Sequence, residues 1–91
     1  MAAILFYDYV PDILEKRPPF REAHLGALQE YHTDGRVWLA GAFMEPTDGA
    51  AIVFSTVAEA ESFVALDPYV ANGLVMRWWV REWNVVVGER A

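Results

Sequence analysis

The chain has 91 residues, 55% of them hydrophobic and 22% charged, and a net charge of −6. That is one domain's worth of chain, residues 1–91, too apolar to remain disordered. It has no cysteine, which excludes disulfide and thiolate chemistry. Its seven basic residues, Lys16, Arg17, Arg21, Arg36, Arg77, Arg81 and Arg90, are too scattered for the clustered positive surface that nucleic acid requires.

Apolar runs such as 37–43 fall far short of the ~20 residues of a membrane-spanning helix. No basic segment followed by a long apolar one opens the chain. The expectation is a cytoplasmic protein with neither a membrane nor a nucleic-acid partner.

Residues 3–10 read as a strand, with Leu5, Tyr7 and Tyr9 on one face and Ile4 and Phe6 on the other. Pro11-Asp12 breaks it. Pro18-Pro19 can open a helix, because a first-turn proline lacks an N–H that would have no partner there anyway. Phe20, Ala23, Leu25, Ala27, Leu28 and Tyr31 follow at roughly helical spacing, and Asp34-Gly35 ends the run.

A second strand spans 37–43. Glu45-Pro46-Thr47-Asp48-Gly49 is a hairpin loop, and 50–54 form a third strand. Ser55 or Thr56 can cap the next helix, with Glu59 placed as in a capping box. That helix carries Ala58, Ala60, Phe63, Val64 and Leu66. It stops at Asp67, because Pro68 disfavours α geometry in the residue before it. An irregular or helical turn covers 69–73, and 75–87 form the last strand, bulged near Glu82.

The order β-α-β-β-α-β is the ferredoxin-like pattern. Right-handed crossovers place two helices on one face of a four-stranded antiparallel sheet. The strands are apolar on both faces, as in Val37-Trp38-Leu39-Ala40 and Ala50-Ala51-Ile52-Val53-Phe54, so the face without helices needs a cover. A domain this small buries only about 60–65% of its unfolded surface. A second copy, sheet against sheet, is the economical cover, and a homodimer is expected.

Candidate chemistry centres on His24, in the first helix, and Asp67, at the end of the second. The helices run side by side in the same direction. An axial offset of about 7 Å between the two residues can be bridged by side chains or one water. A histidine beside a carboxylate can move protons near neutral pH. Arg17 or Arg21 can hold a substrate carboxylate or phenolate, Tyr7 or Tyr69 can donate a hydrogen bond, and Trp78 or Trp79 can wall an apolar pocket.

Each group also has a plainer use. His24 and Asp67 can be a buried clasp between helices, Arg17 and Arg21 can pair with Asp12 or Glu22 at the surface, and Trp78, Trp79 and Trp83 can be core or interface. His32 reads as solvated at its helix end, where its charge suits the dipole. It lies about 12 Å along the axis from His24, too far to share a metal, so no metal is expected. There is no phosphate-binding glycine loop.

These residues carry a resemblance. Tyr7-Asp8, Arg17, Arg21-x-x-His24-Leu25, Gly35-Arg36, Gly41, Asp67-Pro68-Tyr69-Val70-Ala71-x-Gly73 and Trp83, in that order, resemble the YciI-like (YCII-related) family of the dimeric α/β-barrel superfamily over nearly the whole chain. The resemblance implies a His24–Asp67 dyad of the kind proposed as catalytic in the family. Most members have no assigned reaction, and a few relatives are dehydrochlorinases or sit beside aromatic-degradation isomerases. Two features depart from the pattern. Gly41 is followed by Ala42 where proline is common, and the loop 44–49, expected to border the pocket, is short.

The reading is therefore a cofactor-free enzyme that uses His24 and Asp67 for elimination or isomerisation of a small organic molecule. The alternative is a non-catalytic ligand-binding or accessory dimer. Contact in a solvent-accessible cavity would favour the enzyme, and contact in a sealed site would favour the clasp.

Overall fold

A computed structural model describes residues 1–88 of the chain. The elements are β1 (Ala2–Tyr9), α1 (Ile13–Lys16), α2 (Pro18–Thr33), β2 (Val37–Ala42), β3 (Gly49–Phe54), α3 (Val57–Leu66), α4 (Pro68–Ala71) and β4 (Val75–Trp83). The strands form one sheet in the order β2-β3-β1-β4, every neighbouring pair antiparallel. This is the expected ferredoxin-like fold, with two single-turn helices added.

Local chemistry sets most of the boundaries. Pro18 and Pro19 occupy the first positions of α2. Gly35, at a φ of 79°, follows the end of that helix in the left-handed region, where a Cβ would be unfavourable. Thr56 caps α3, its hydroxyl accepting from the Glu59 N–H at 3.1 Å. Gly49 must be small, because a Cβ there would run into the Tyr7 carbonyl oxygen.

The register puts Leu5 opposite Ile52 and Val80, and Tyr7 opposite Ala50 and Trp78. Side chains alternate in direction along a strand, so these residues share the helix-covered face. Leu5, Tyr7, Ile52 and Phe54 form a core there with Tyr31 of α2 and Ala60 and Phe63 of α3. Phe63 anchors it, with its ring centroid 5.3 Å from that of Tyr31 and 5.7 Å from that of Phe54. Burying one such ring stabilises the fold by about 2–3 kcal/mol.

The opposite face carries Ile4, Phe6, Val53, Trp79 and Trp83 by the same register. Phe6 and Trp79 stack at 5.3 Å, and Arg77 lies 4.3 Å from the Trp79 ring. Leu39 and Trp83 remain 71% and 45% exposed.

Several expectations need correction. β4 ends at Trp83 rather than running to 87, because Trp83 pairs with Ala2, where β1 begins. As an edge strand, β4 has no second neighbour to extend against. Its bulge falls beside Asp8 and Tyr9 rather than near Glu82, and a second irregularity lies between Val37 and Leu39. The turn after β1 contains α1, pinned by Ile13, which is buried in the core. His32 is exposed, but its ring is tied to the Val37 carbonyl at 2.9 Å.

Candidate functional site

The site begins at the junction of α3 and α4. Asp67 takes an extended conformation, φ −70° and ψ 121°, as the residue before Pro68 should. Its carboxylate turns back to cap α4, Oδ1 accepting from the Tyr69 N–H at 3.1 Å. The same turn aims the carboxylate at α2, where His24 Nδ1 meets Oδ1 at 2.7 Å. The expected contact is thus direct, with no bridging water. The Tyr7 hydroxyl rises from β1 to donate to Oδ2 at 2.6 Å.

Three donors therefore converge on one carboxylate that is 1% exposed. An ionised carboxylate only accepts, so His24 gives its Nδ1 proton to this bond, and Nε2 of the neutral ring holds a lone pair. The ring is also fixed by packing. It stacks on Tyr69 with centroids 3.8 Å apart and planes 4° apart, and Phe63 meets it edge-on at 6.1 Å.

His24 is 5% exposed, yet the site is not sealed. A cleft of about 180 Å³ lies between α2 and the sheet, and His24 lines it with Arg17, Arg21, Leu25 and Leu28. From position 21 onward these residues recur every three to four positions, as one helix face requires. The facing wall is built from small residues, Ala40, Gly41, Ala42 and Ala50, with Ile52, Tyr9 and Tyr69 completing the lining. Small side chains under a helix leave the space that larger ones would fill.

Among the described residues Nε2 of His24 has no hydrogen-bond partner, and it is not cut off from the surface. Arg17 and Arg21 make no ion pair or hydrogen bond with the described residues either. The nearby surface pair is instead Lys16–Asp12, at 3.5 Å.

Of the residues singled out in the sequence, His24, Arg17, Arg21 and Tyr69 come together on the cleft. Asp67 stands directly behind His24. Tyr7 is placed differently from expectation: it does not line the cleft, because its hydroxyl is spent on Asp67. Burial, reinforced by the negative charge and hydrogen bond of Asp67, raises the Tyr7 pKa far above its ordinary value. Trp78 and Trp79 do not line the cleft. The loop 44–49 borders a different hollow, in which Pro46, Thr47 and Asp48 face Pro11 and Met76.

Tyr9 lines the cleft and was not singled out as a site residue. Its alternation with Leu5 and Tyr7 was the available signal, since it puts Tyr9 on the helix-covered face. Among the described residues no three His, Cys, Asp or Glu side chains gather as a metal-ligand set.

Comparison with known proteins places the chain among relatives. A family model described as the YCII-related domain matches residues 1–84. The protein YciI of Escherichia coli O6:H1 is 36% identical over 85 residues, covering 81% of this chain and 87% of that protein. An uncharacterised protein of Haemophilus influenzae is 29% identical over 85 residues, with the same coverage.

Among solved structures, 5-chloro-2-hydroxyhydroquinone dehydrochlorinase from Burkholderia phenoliruptrix, in complex with 2,5-dihydroxybenzoquinone, superposes with a TM-score of 0.77. It has 21% identity, and the match covers 92% of this chain and 94% of that one. The structured domain of Caenorhabditis elegans BMY-1 gives a TM-score of 0.57 at 14% identity, covering 93% and 98%. At these identities the structural likeness is one of fold.

Proposed function

Because the chain belongs to the YCII-related domain family, and His24 turns an unpartnered Nε2 to a cleft lined by two unpaired arginines, we propose that it performs acid–base chemistry on a small organic molecule without a cofactor. The observation that carries the reading is the His24 ring itself. Asp67 holds it through Nδ1, Tyr69 fixes its plane, and only Nε2 is left for an exchangeable proton.

In this reading Nε2 takes a proton from a bound molecule, and Asp67 stabilises the imidazolium that forms. In an elimination the C–H electron pair becomes the new double bond, and the leaving group departs with its own pair. In an isomerisation the proton returns to a different atom. Arg17 and Arg21 hold the negative end of the substrate. The dehydrochlorination named for the Burkholderia structure belongs to this class and supports it. The protein acts in the cytoplasm as a homodimer, joined through the open sheet face on which Leu39 and Trp83 are exposed.

The test is solvent deuterium exchange into small carboxylates and hydroxylated ring compounds, followed by proton NMR with wild type and His24→Gln. Exchange by the wild type, reduced about a hundredfold or more in His24→Gln, is the expected result. If no compound that binds exchanges a proton faster than in buffer, the protein is a binding module and the enzymatic reading falls.

A further inference from the structure

All four tyrosines of the chain, Tyr7, Tyr9, Tyr31 and Tyr69, are buried. Two have spent their hydroxyls inside the protein: Tyr7 on Asp67 and Tyr31 on Ser62, at 2.7 Å. Tyr9 and Tyr69 have no hydrogen-bond partner for theirs among the described residues, and both line the cleft. Tyr9 is 5% exposed, and its ring meets Tyr69 edge-on at 6.0 Å. Neither hydroxyl is cut off from the surface, so both are open to a partner that enters the cleft from outside.

The donor and acceptor inventory of the cleft identifies that partner's chemistry. Arg17 and Arg21 only donate. Burial raises the pKa of both the Tyr9 and Tyr69 hydroxyls, although the charge of Arg17 acts on each in the opposite direction. Both therefore stay protonated and available as donors. His24 Nε2 accepts, and the Tyr9 and Tyr69 oxygens can accept while they donate. The remaining wall is apolar, from Leu25, Leu28 and Ile52. The ligand must be rich in acceptors and negatively charged at one end, compact and apolar in its body, with an acidic proton for Nε2. The cleft volume of about 180 Å³ is close to the ~150 Å³ that accommodates one benzene-sized ring.

We propose that Tyr9 and Tyr69, together with Arg17 and Arg21, form an anion subsite for a carboxylate carried on a ring-sized molecule, with Tyr9 as a binding residue. The inference rests on the cleft being the site at which His24 acts. It adds the class of molecule that the site accepts. In a protein of net charge −6, two unpaired guanidiniums in one cleft give an anion a reason to enter it.

Calorimetric titration with benzoate and with benzamide, its neutral counterpart of nearly the same shape, tests the proposal on wild type and Tyr9→Phe. The expected result is benzoate binding about tenfold or more tighter than benzamide. Tyr9→Phe weakens benzoate about five- to tenfold, weakens benzamide less, and leaves the melting temperature unchanged, because that hydroxyl serves no described group. Equal affinity for the two probes overturns the proposal. So does a Tyr9→Phe variant that binds benzoate like wild type, or no benzoate binding up to about 10 mM.

The two readings fail separately. If the binding pattern holds while no bound acid exchanges a proton, the subsite stands and the chemistry falls. If protons exchange while Tyr9→Phe binds like wild type, the chemistry stands and the subsite falls.

Discussion

On the helix side of the sheet, Asp67 takes hydrogen bonds from His24, Tyr7 and the Tyr69 backbone, all between 2.6 and 3.1 Å. On the other side, Leu39, Phe43 and Trp83 stand exposed, and the polar pair Asp8–Arg77 meets at the surface at 3.1 Å. The first region is polar and closed on itself. Every donor around the carboxylate has its acceptor inside the chain, and only the far edge of the His24 ring faces outward. The second region is apolar and open, with its large side chains provided with no cover by this one chain. A buried charge is tolerated only where its partners are already in place. Exposed apolar surface gains most when a partner arrives. The chain thus resolves its polar site internally and leaves large side chains of its other face exposed.

Substitutions that treat the two faces differently sharpen or break this contrast. The largest expected effect is that of Asp67→Ala, which strands three donors in the interior and lowers stability by about 3–5 kcal/mol, read as a lower urea midpoint. A loss of under about 1 kcal/mol would mean that the network is not closed in the way described.

Leu39→Lys acts on the other face. It weakens self-association by about thirtyfold, seen by sedimentation over a concentration series, with the monomer's fold kept by circular dichroism. An unchanged association constant would remove the open face as the interface.

Tyr7→Phe keeps the ring packing but takes one donor from Asp67, at a cost of about 1–2 kcal/mol by chemical denaturation. On the proposed function it also slows the deuterium exchange assigned to His24, because Asp67 loses one of its three donors.

The smallest effect is on alkaline stability. Tyr7 and Tyr9 have pKa values raised above the ordinary 10.0, so above that pH the unfolded chain loses protons that the folded chain keeps. Stability is therefore fully present below pH 10 and falls as the pH rises past it, by about 1 kcal/mol per group between pH 10 and 11. Denaturation midpoints across that range check the sign, and Tyr7→Phe should flatten the slope by about one proton.

Much of the fold was legible because it rests on rules a few residues long. Pro18-Pro19 set the start of α2, Thr56 and Glu59 the start of α3, and Pro68 the end of α3. The cleft was less legible. His24 and Asp67 could be paired by topology and helix rise, but the role of Tyr7 could not, because nothing local distinguishes a hydroxyl aimed at Asp67 from one aimed at a ligand. Tyr9 was recognisable as sharing a strand face with Leu5 and Tyr7, yet its place on the cleft depends on the small side chains at Ala40, Ala42 and Ala50 leaving room in front of it.

The sequence by itself determined the order of elements, the two-faced apolar character of the strands and the Asp67-Pro68 turn, because backbone sterics and side-chain alternation act over neighbouring residues. Tertiary structure alone decided where β4 stops, which groups share the Asp67 carboxylate and which tyrosines keep a free hydroxyl in the cleft. Those outcomes depend on distances between segments as far apart as Tyr7 and Asp67. A hydrogen bond forms only where the packed fold brings its two ends within reach.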